Sequence, residues 1–387
     1  MILSKIKLVN WKNFHQCSVD LSERTFIVGA NASGKSNFLD AFRFLHDIAK
    51  AGGGIQTAVA SRGGLKKIRC LAARVRTDIE FVVYLKDSFE ATDEWKYTLA
   101  FKGVGGGIMR KEVTIIKEEV RYGDQVLLTR SEDSDGEDND TLKYTHLEQA
   151  NANQSFRELR NFFLNIEYLN VIPQLVRESN SVLFSSDKED FYGRNFLQRL
   201  ATMNKTTSAA YFRRVNEVLR RAVPQLSELQ LAYDEMGIPH LEARYEHWRA
   251  KGSKQQEEQF SDGTLRLIGF LFALLDSKGI VLLEEPETNL HSAIVAQLPE
   301  FIAKLQRSKK ETRQVFITTH SYDMLANNGL RSNEVILLKP SKEGTQVINA
   351  ANMEDVTSEL NAGFSMADAV IPYTKPDNVE SLSMLKM

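Results

Sequence analysis

The chain has 387 residues, of which 42% are hydrophobic and 26% are charged, a balance typical of a globular protein with a large core. Lysine and arginine (49) nearly match aspartate and glutamate (51), so the net charge neither demands nor excludes nucleic acid as a partner. The chain has only two cysteines, Cys17 and Cys70, and neither has metal-ligand spacing around it, so a reducing compartment fits best. The first residues lack a signal-peptide core, and the longest apolar run, residues 267–275, is too short to span a membrane. We therefore expect a cytoplasmic protein with no membrane partner.

The chain begins with patterns typical of strands. Residues 2–9 alternate apolar and polar side chains, as a half-buried strand does. A turn at residues 11–14 (WKNF) leads to a second predicted strand around residues 17–21. The apolar segment at residues 25–28 (TFIV) predicts a third strand, which leads directly into a glycine-rich stretch.

That stretch, residues 29–36, reads GANASGKS and matches the phosphate-binding loop pattern G-x-x-x-x-G-K-[ST]. The pattern requires a strand before it and a helix after it, and residues 37–48 supply the helical pattern. Its two glycines allow backbone conformations in which N–H groups converge on phosphate oxygens. Lys35 supplies a positive charge for the β- and γ-phosphates, and the Ser36 hydroxyl suits the shell of a Mg²⁺ ion. The sequence therefore predicts a nucleotide-binding protein.

The next segments predict a second, β-rich part of the chain. Residues 52–64 are rich in glycine and are expected to form a loop. Short β-like runs divided by turn residues predict antiparallel strands across residues 77–128. The acidic stretch at residues 131–140 fits either a solvated hairpin loop, which we favour, or a contact for a basic partner. A helix is predicted over residues 155–165 and a strand over residues 166–172.

A largely helical region follows at residues 186–223, and residues 226–245 predict a small hairpin. The helical region carries two pairs of adjacent basic residues, Arg213 with Arg214 and Arg220 with Arg221. These pairs fit a solvated helix face, which is the commoner case, or a nucleic-acid site.

Residues 279–287 (GIVLLEEPE) contain the next residues that suit a nucleotide site. Their continuous apolar run predicts a buried parallel strand, and ligands bind at the carboxyl ends of such strands. We expect Glu284 to hold Mg²⁺ and Glu285 to polarise the attacking water. Residues 315–321 (VFITTHS) predict a similar strand that ends in His320, an imidazole suited to contact the γ-phosphate.

Residues 260–266 (FSDGTLR) precede an apolar helix predicted over residues 265–276. Ser261 or Asp262 suits the N-cap of that helix. A helix start with a serine hydroxyl and a glycine, here Gly263, is also an anion site. Because this segment has no evident need for a phosphate in its own subunit, we expect the phosphate to come from a second subunit.

The order of these motifs resembles that of the ABC-type ATPases of the SMC/RecF/OLD group. Residues 29–37 look like Walker A, residues 260–264 like the signature motif, and residues 280–287 like Walker B with its catalytic glutamate. Residues 289–291 (NLH) are similar to the D-loop, and residues 318–321 (TTHS) to the switch histidine. The signature SDGT instead of SGGQ, the glutamate in Walker B and the following EPExxLH all look like the OLD-like ATPases of DNA repair and anti-phage systems.

The resemblance implies which residues contact ATP and Mg²⁺. Residues 8–14 (LVNWKNF) resemble the family's N-terminal strand and turn, whose polar residues lie near nucleotide. The implied nucleotide contacts are Lys12, Asn13, Asn31, Ala32, Ser33, Gly34, Lys35, Ser36, Asn37, Ser261 and Gly263. The implied catalytic residues are Glu285 and His320, and the implied Mg²⁺ ligands are Ser36, Glu284 and the Q-loop glutamine. Gln174 fits the family's order for this glutamine best, and Gln56 is the alternative.

The implied fold is an α/β P-loop ABC-type ATPase head with a mixed sheet, an antiparallel β subdomain and a helical signature lobe. We divide the chain into an N-terminal ATPase lobe (residues 1–175), a helical lobe (residues 176–278) and a C-terminal ATPase lobe (residues 279–387). A head-to-tail homodimer, or a higher oligomer, is expected to enclose two ATP molecules.

The resemblance also implies a biological role. We expect the ATPase subunit of a prokaryotic anti-phage defence system that controls a separate nuclease or toxin effector. The segment after Ser321 has no D-x-D acid pair, so the TOPRIM nuclease that family members often carry is not expected here. The alternative is an SMC/RecF-like repair or clamp ATPase that binds DNA. A transporter motor is disfavoured by the signature and Walker B departures.

Overall fold

The computed structural model describes residues 1–104, 112–132, 140–178, 192–247, 252–307 and 313–375. Most of the predicted acidic stretch and the start of the predicted helical region lie outside these residues. The strands are β1 (Ile2–Trp11), β2 (Phe14–Asp20), β3 (Arg24–Gly29), β4 (Ile79–Lys86), β5 (Glu94–Gly103), β6 (Val113–Tyr122), β7 (Gln125–Ser131), β8 (Glu167–Leu169), β9 (Leu226–Tyr233), β10 (Pro239–Tyr245), β11 (Ser253–Gln256), β12 (Val281–Glu284), β13 (Val315–Thr319), β14 (Val335–Lys339) and β15 (Gln346–Asn349). The α-helices are α1 (Lys35–Ala49), α2 (Ile55–Ser61), α3 (Leu65–Ile68), α4 (Arg157–Leu164), α5 (Pro173–Arg177), α6 (Phe196–Thr202), α7 (Lys205–Ala222), α8 (Asp262–Asp276), α9 (Ser292–Val295), α10 (Leu298–Arg307), α11 (Tyr322–Leu325), α12 (Glu354–Asn361) and α13 (Met366–Val370).

The first sheet is antiparallel and has six strands in the order β2-β1-β4-β5-β6-β7. Leu8, Phe81 and Leu99 face one another across β1, β4 and β5, and all three are fully buried. Such cross-strand apolar neighbours stabilise a sheet that has one face in the core. The predicted antiparallel subdomain is therefore present, with the first two strands of the chain added to it.

The second sheet has the order β15-β14-β3-β13-β12-β8, and all neighbours are parallel except the edge pair β14–β15. Every residue of the inner strand β3 is buried, which explains its unbroken apolar run. Ile27 points into one core, while Phe26 and Val28 point into the other. The predicted mixed sheet is therefore confirmed, and it separates two hydrophobic cores.

Each core is covered by a different set of elements. On one face, α1 and the antiparallel sheet cover the parallel sheet, and the rings of Phe42 and Phe316 meet at 5.0 Å. On the other face, α8 supplies Leu267 and Leu271, both buried. Phe272, also on α8, meets Phe196 of α6 at 5.1 Å between ring centroids. The sheet that carries the phosphate loop is thus enclosed on both sides.

The helical region lies beside a small sheet. The hairpin predicted at residues 226–245 is present as β9 and β10, and β11 joins it as a third strand. Tyr211, Val215 and Leu219 form the buried face of α7. The four arginines of the two basic pairs, Arg213, Arg214, Arg220 and Arg221, are all exposed on the same helix.

The prediction of a loop over residues 52–64 was wrong, because α2 lies within it. Ile55, Ala58 and Val59 are buried at helical spacing, so one apolar face holds the helix against the core. The glycines of this stretch lie in the flanking turns, where several have positive φ.

The parallel sheet combines strands from both ends of the chain: β3 and β8 come from the predicted N-terminal lobe, and β12 to β15 from the predicted C-terminal lobe. The exact segment boundaries stay predictions. Within the described part of the chain, no helix has the length and apolar character needed to cross a bilayer.

Candidate nucleotide-binding site

The predicted site residues converge where three neighbouring parallel strands end. The phosphate loop follows β3, His320 follows β13, and Glu284 is the last residue of β12. In the register of β12 and β13, Glu284 lies opposite Thr318. The carboxyl edge of a parallel sheet is the usual position of a ligand site in this kind of architecture.

The phosphate loop turns sharply into α1. Ala32 has φ of 62° and Gly34 has φ of 102°, both in the left-handed region. Ser33 N donates to Ala30 O at 3.1 Å and Ser33 is fully buried, so the predicted contact of Ser33 with nucleotide stays a prediction. Asn31 and Ala32 are exposed at the tip of the loop. The left-handed residues Ala32 and Gly34 therefore turn the chain sharply before Lys35.

Lys35 is the first residue of α1 and is only 7% exposed. Its ammonium donates to Gly29 O at 3.0 Å and to Ala30 O at 3.3 Å. The same nitrogen lies 3.7 Å from Glu285 Oε1. Lys35 thus spans the loop and links it to the acid pair at the end of β12.

Ser36 and Glu284 meet directly, because the Ser36 hydroxyl donates to Glu284 Oε1. The other carboxylate oxygen, Oε2, accepts a hydrogen bond from the hydroxyl of Tyr168 on β8. Burial first, and the hydrogen bond to Glu284 second, raise the pKa of Tyr168 above its ordinary value, so the phenol remains a donor. Sequence reasoning missed Tyr168, which lies 116 positions before Glu284.

These residues fit a magnesium nucleotide. The Ser36 hydroxyl and the Glu284 carboxylate offer the oxygen ligands that Mg²⁺ prefers. No cluster of three or more His, Cys, Asp and Glu side chains within the described ranges is arranged to hold a metal alone. A metal bound by few protein ligands, with phosphates and water completing its shell, is what Mg²⁺ in nucleotide sites requires. Gly29 leaves room for this cradle, because a Cβ atom there would lie 2.5 Å from Ser33 Oγ.

Glu285 has an uncommon backbone conformation for a non-glycine residue, with φ of 41°. Its N–H donates to Thr318 O at 3.0 Å, and its Oε1 lies 3.2 Å from His320 Nδ1. Backbone strain of this kind concentrates at functional sites, where surrounding bonds hold it. The strand-end turn therefore holds Glu285 and His320 together beside Lys35.

Glu287, two residues further on, was not singled out from the sequence. It is 7% exposed, and its Oε1 accepts a hydrogen bond from the Thr319 hydroxyl. Glu287 Oε2 is buried without a hydrogen-bond partner among the described residues. Burial raises the pKa of Glu287, so this carboxyl group is protonated more readily than an exposed one.

The N-terminal turn contacts the phosphate loop through Asn13. Asn13 Nδ2 donates to Ser33 O at 3.0 Å, and Asn37 Nδ2 donates to Asn13 Oδ1 at 2.8 Å. Lys12 is instead paired with Asp40 on α1, with 2.6 Å between Nζ and Oδ2. The predicted contacts of Lys12, Asn13 and Asn37 with nucleotide stay predictions, although the turn does lie against the loop.

The predicted signature residues lie at the start of α8. Ser261 caps the helix and accepts from Thr264 N at 3.2 Å. A Cβ atom at Gly263 would lie 2.4 Å from Asn289 O, so the glycine allows the predicted D-loop to approach closely. Asn289 itself has φ of 65°. Among the described contacts, these residues meet one another and not the phosphate loop of their own chain.

The two candidate Q-loop glutamines have different surroundings. Gln56 Nε2 donates to Val113 O at 2.8 Å and to Lys143 O at 2.7 Å, so its amide joins α2 to neighbouring backbone. Gln174 is exposed at the start of α5, which follows β8 in the chain. Arg177, at the end of the same helix, donates to Asp262 at 2.6 Å. Gln174 stays the predicted Mg²⁺ ligand, whereas the Gln56 side chain is used in hydrogen bonds to backbone.

Two solved SMC head structures share this architecture. The SMC head bound to the C-winged helix domain of ScpA gives a TM-score of 0.56 at 16% identity, covering 90% of this chain and 98% of that one. The Smc head domain with an extended coiled coil, bound to the C-terminal domain of ScpA derived from Pyrococcus furiosus, gives 0.50 at 14% identity, covering 93% and 99%. The fold is thus that of an α/β P-loop ABC-type ATPase head.

The sequence profile of one family matches residues 24–326, a stretch that contains the phosphate loop, the acid pair and His320. The family is described as "AAA domain, putative AbiEii toxin, Type IV TA system", and the chain belongs to it. None of the curated proteins matches the sequence significantly.

Proposed function

We propose that this protein binds ATP with Mg²⁺, hydrolyses it, and uses the nucleotide to join two subunits. The observation that carries the proposal is the meeting of loop and acid pair at one sheet edge. Lys35 Nζ lies 3.7 Å from Glu285 Oε1, and the Ser36 hydroxyl bonds to Glu284. A phosphate-binding loop that faces two carboxylates is the arrangement needed for phosphoryl transfer to water.

Binding is assigned to the loop and the first turn of α1. Lys35 exchanges its carbonyl partners and Glu285 for phosphate oxygens, a charge-assisted contact in a water-poor cradle. The free N–H groups at the start of α1 add the positive end of the helix. Ser36 and Glu284 are assigned to the metal, with Gln174 as the further ligand. When bound, Mg²⁺ supplies positive charge against the phosphate oxygens.

Hydrolysis is assigned to Glu285 and His320. The Glu285 carboxylate accepts a hydrogen bond from the attacking water and aligns it with the γ-phosphate. The 3.2 Å contact with His320 Nδ1 keeps the carboxylate and the imidazole on one side of the site. His320 is exposed, so its ring is accessible to phosphate.

Dimerisation is assigned to the start of α8. Ser261 is exposed, and Gly263 is half-buried against the predicted D-loop. Both then contact the γ-phosphate held by the opposite subunit, so each ATP lies between the loop of one chain and the signature of the other. The predicted D-loop at Asn289 packs against Gly263, and it therefore connects the signature segment with the segment that follows the acid pair.

The biological role we propose is the ATPase subunit of a prokaryotic anti-phage defence system that controls a separate effector. The family description, which names a putative toxin and a Type IV TA system, supports a role in a system of this general kind. The second candidate is an ATPase clamp on DNA. The exposed arginines of α7 favour it, because clustered basic side chains on one helix suit a phosphate backbone.

ATP binding is tested with Lys35→Ala, measured by calorimetry. We expect most of the affinity to disappear, whereas Lys304→Ala, which removes an exposed lysine paired with Glu300 on α10, leaves it unchanged. Equal affinity in Lys35→Ala and wild type would refute the phosphate-loop assignment.

The DNA candidate is tested with labelled duplex DNA at several salt concentrations. A clamp binds with an affinity that falls steeply as salt rises, and replacing Arg213 and Arg220 by glutamate weakens it. Absence of salt-dependent binding at low salt, with and without ATP, leaves the effector role as the better proposal.

A further inference from the structure

The carbonyl oxygen of Ser33, inside the phosphate loop, accepts hydrogen bonds from two side chains far apart in sequence. Asn13 Nδ2 donates to it at 3.0 Å and Thr345 Oγ1 at 2.9 Å. The two side chains also bind each other, with 2.7 Å between Asn13 Nδ2 and Thr345 Oγ1, although they lie 332 positions apart. Three hydrogen bonds therefore connect Ser33 O, Asn13 Nδ2 and Thr345 Oγ1, and they use both amide hydrogens of Asn13 and the hydroxyl hydrogen of Thr345.

Each side chain comes from a hairpin turn. Asn13 lies in the turn between β1 and β2, and Thr345 directly precedes β15. Thr345 N donates to Asn13 O at 2.7 Å, and a Cβ atom at Gly344 would lie 2.8 Å from the same oxygen. Thr345 is only 5% exposed. The turn at the edge of the antiparallel sheet and the turn at the edge of the parallel sheet are thus locked together behind the loop.

This lock fixes a peptide group that faces the proposed nucleotide. The Ser33–Gly34 peptide is planar and trans, so the Gly34 N–H points away from Ser33 O. Holding the carbonyl therefore also holds the direction of the N–H. Gly34 N donates to no group among the hydrogen bonds of the described residues, and it directly precedes Lys35. A backbone N–H held in this way is what an anion cradle presents to phosphate.

We propose that Thr345 is a positioning residue of the nucleotide site, which acts with Asn13 by holding the Gly34 N–H toward phosphate. The inference rests on the proposed ATP binding and adds to it a residue far outside the loop pattern. Gly34 fits the same lock, because a Cβ atom there would lie 2.0 Å from Asn13 Nδ2. The C-terminal hairpin is in this way part of the phosphate site.

The test replaces Thr345 by valine, which keeps the shape and removes the hydroxyl. We expect ATP affinity, measured by calorimetry, to fall about tenfold, the effect of losing a buried hydrogen-bonded pair. The KM for ATP rises accordingly, while kcat at saturating ATP changes little, because the bonds act on phosphate binding. Thr345→Ser retains the hydroxyl and restores the affinity. Thr357→Val is the matched control, since the Thr357 hydroxyl bonds within its own helix to Met353 O.

Hydrogen exchange provides a second readout that needs no nucleotide. Without ATP, residues 29–37 exchange faster in Thr345→Val than in wild type, while other segments are unchanged. If wild-type protein binds no ATP, the proposed function fails, and this exchange result alone decides whether the lock exists. Should Thr345→Val not fold, Asn13→Ala removes the other donor to Ser33 O, and faster exchange of residues 29–37 without nucleotide is then the deciding result.

Unchanged affinity and unchanged loop exchange in Thr345→Val would overturn the inference. A loss of affinity that Thr345→Ser does not restore would also overturn it, because the residue would then act through shape alone.

Discussion

The hydroxyl of Tyr168 donates to Glu284 Oε2, the carboxylate oxygen that does not face Ser36. The guanidinium of Arg43 lies over the Tyr168 ring at 4.4 Å from its centroid. Tyr168 therefore fixes the rotation of the Glu284 carboxylate and leaves the other oxygen directed at the phosphate loop. An outer partner of this kind orients a metal ligand without touching the metal.

Replacing Tyr168 by phenylalanine should weaken the binding of Mg²⁺ and leave the fold intact. We expect about a tenfold rise in the Mg²⁺ concentration needed for half-maximal ATP hydrolysis, the size typical for a lost outer partner of a metal ligand. Tyr373→Phe is the control, because it removes a similar tyrosine–carboxylate bond, 3.1 Å to Asp355 of α12. Identical Mg²⁺ dependence in Tyr168→Phe and wild type would mean that Glu284 needs no such support.

Glu285→Gln should separate ATP binding from hydrolysis. The amide keeps the shape and the contact with His320 but loses the charge that orients and polarises water, so turnover falls by about 10²-fold or more. ATP affinity stays close to wild type, because phosphate binding is assigned to Lys35 and the loop. Calorimetry and phosphate release measure the two quantities on the same sample. Near-normal turnover would transfer the catalytic role to another residue, with Glu284 next in line.

Glu287→Gln should change how stability depends on pH. Burial raises the pKa of Glu287 in the folded protein above its ordinary value of 4.5. The folded state then binds the proton more tightly than the unfolded state, so this group's contribution to stability is complete below pH 4.5 and is lost as pH rises through the folded pKa. Glutamine does not ionise, and the variant should gain stability relative to wild type between pH 5 and pH 8, by about 1.4 kcal/mol for each unit of raised pKa.

Urea unfolding without nucleotide at both pH values measures this difference. Glu246→Gln is the matched control, because it makes the same replacement at an exposed glutamate. A constant difference between Glu287→Gln and wild type across the range would show that Glu287 ionises as freely in the folded state as in the unfolded one.

The motifs predictable from the sequence are those whose chemistry is local. Three motifs could be recognised within about ten residues each, from apolar runs and a fixed spacing: the phosphate loop, the buried strand before Glu284 and the strand before His320. Parallel strands end at the same edge of a sheet, where ligands bind. The strand patterns therefore also predicted that the residues after these strands lie near one another. The structure brings Lys35 and Glu285 together in this way.

What the sequence did not predict depends on pairing between distant segments. The place of Tyr168 follows from β8 lying beside β12, and that of Thr345 from two hairpin turns meeting behind Ser33. Neither contact leaves a periodic pattern in the chain. The helix α2 was missed for a different reason. The glycines on both sides of it indicated a loop, and its apolar spacing is too short to indicate a helix until the burial of those residues is known.

The last prediction concerns the second subunit. If Ser261 contacts the γ-phosphate of the opposite chain, Ser261→Arg should spare ATP binding by the monomer and abolish ATP-driven dimerisation, since a bulky side chain fills the space meant for phosphate. If Ser261 is only the cap of α8, the substitution costs about 1 kcal/mol of stability and leaves turnover intact. Ser365→Arg is the matched control, because Ser365 caps α13 in the same way.

Mixing Ser261→Arg with Lys35→Ala protein makes the test sharper. In a head-to-tail pair of the two variants, one composite site has both halves wild type and the other has neither. Partial return of activity in the mixture, where each variant alone is inactive, requires that the phosphate loop of one chain works with the signature of the other. Light scattering at several protein concentrations, with and without ATP, shows whether the same mixture forms dimers. Full ATPase activity of Ser261→Arg alone, independent of protein concentration, would refute the shared site, because a chain with a blocked signature would then need no partner.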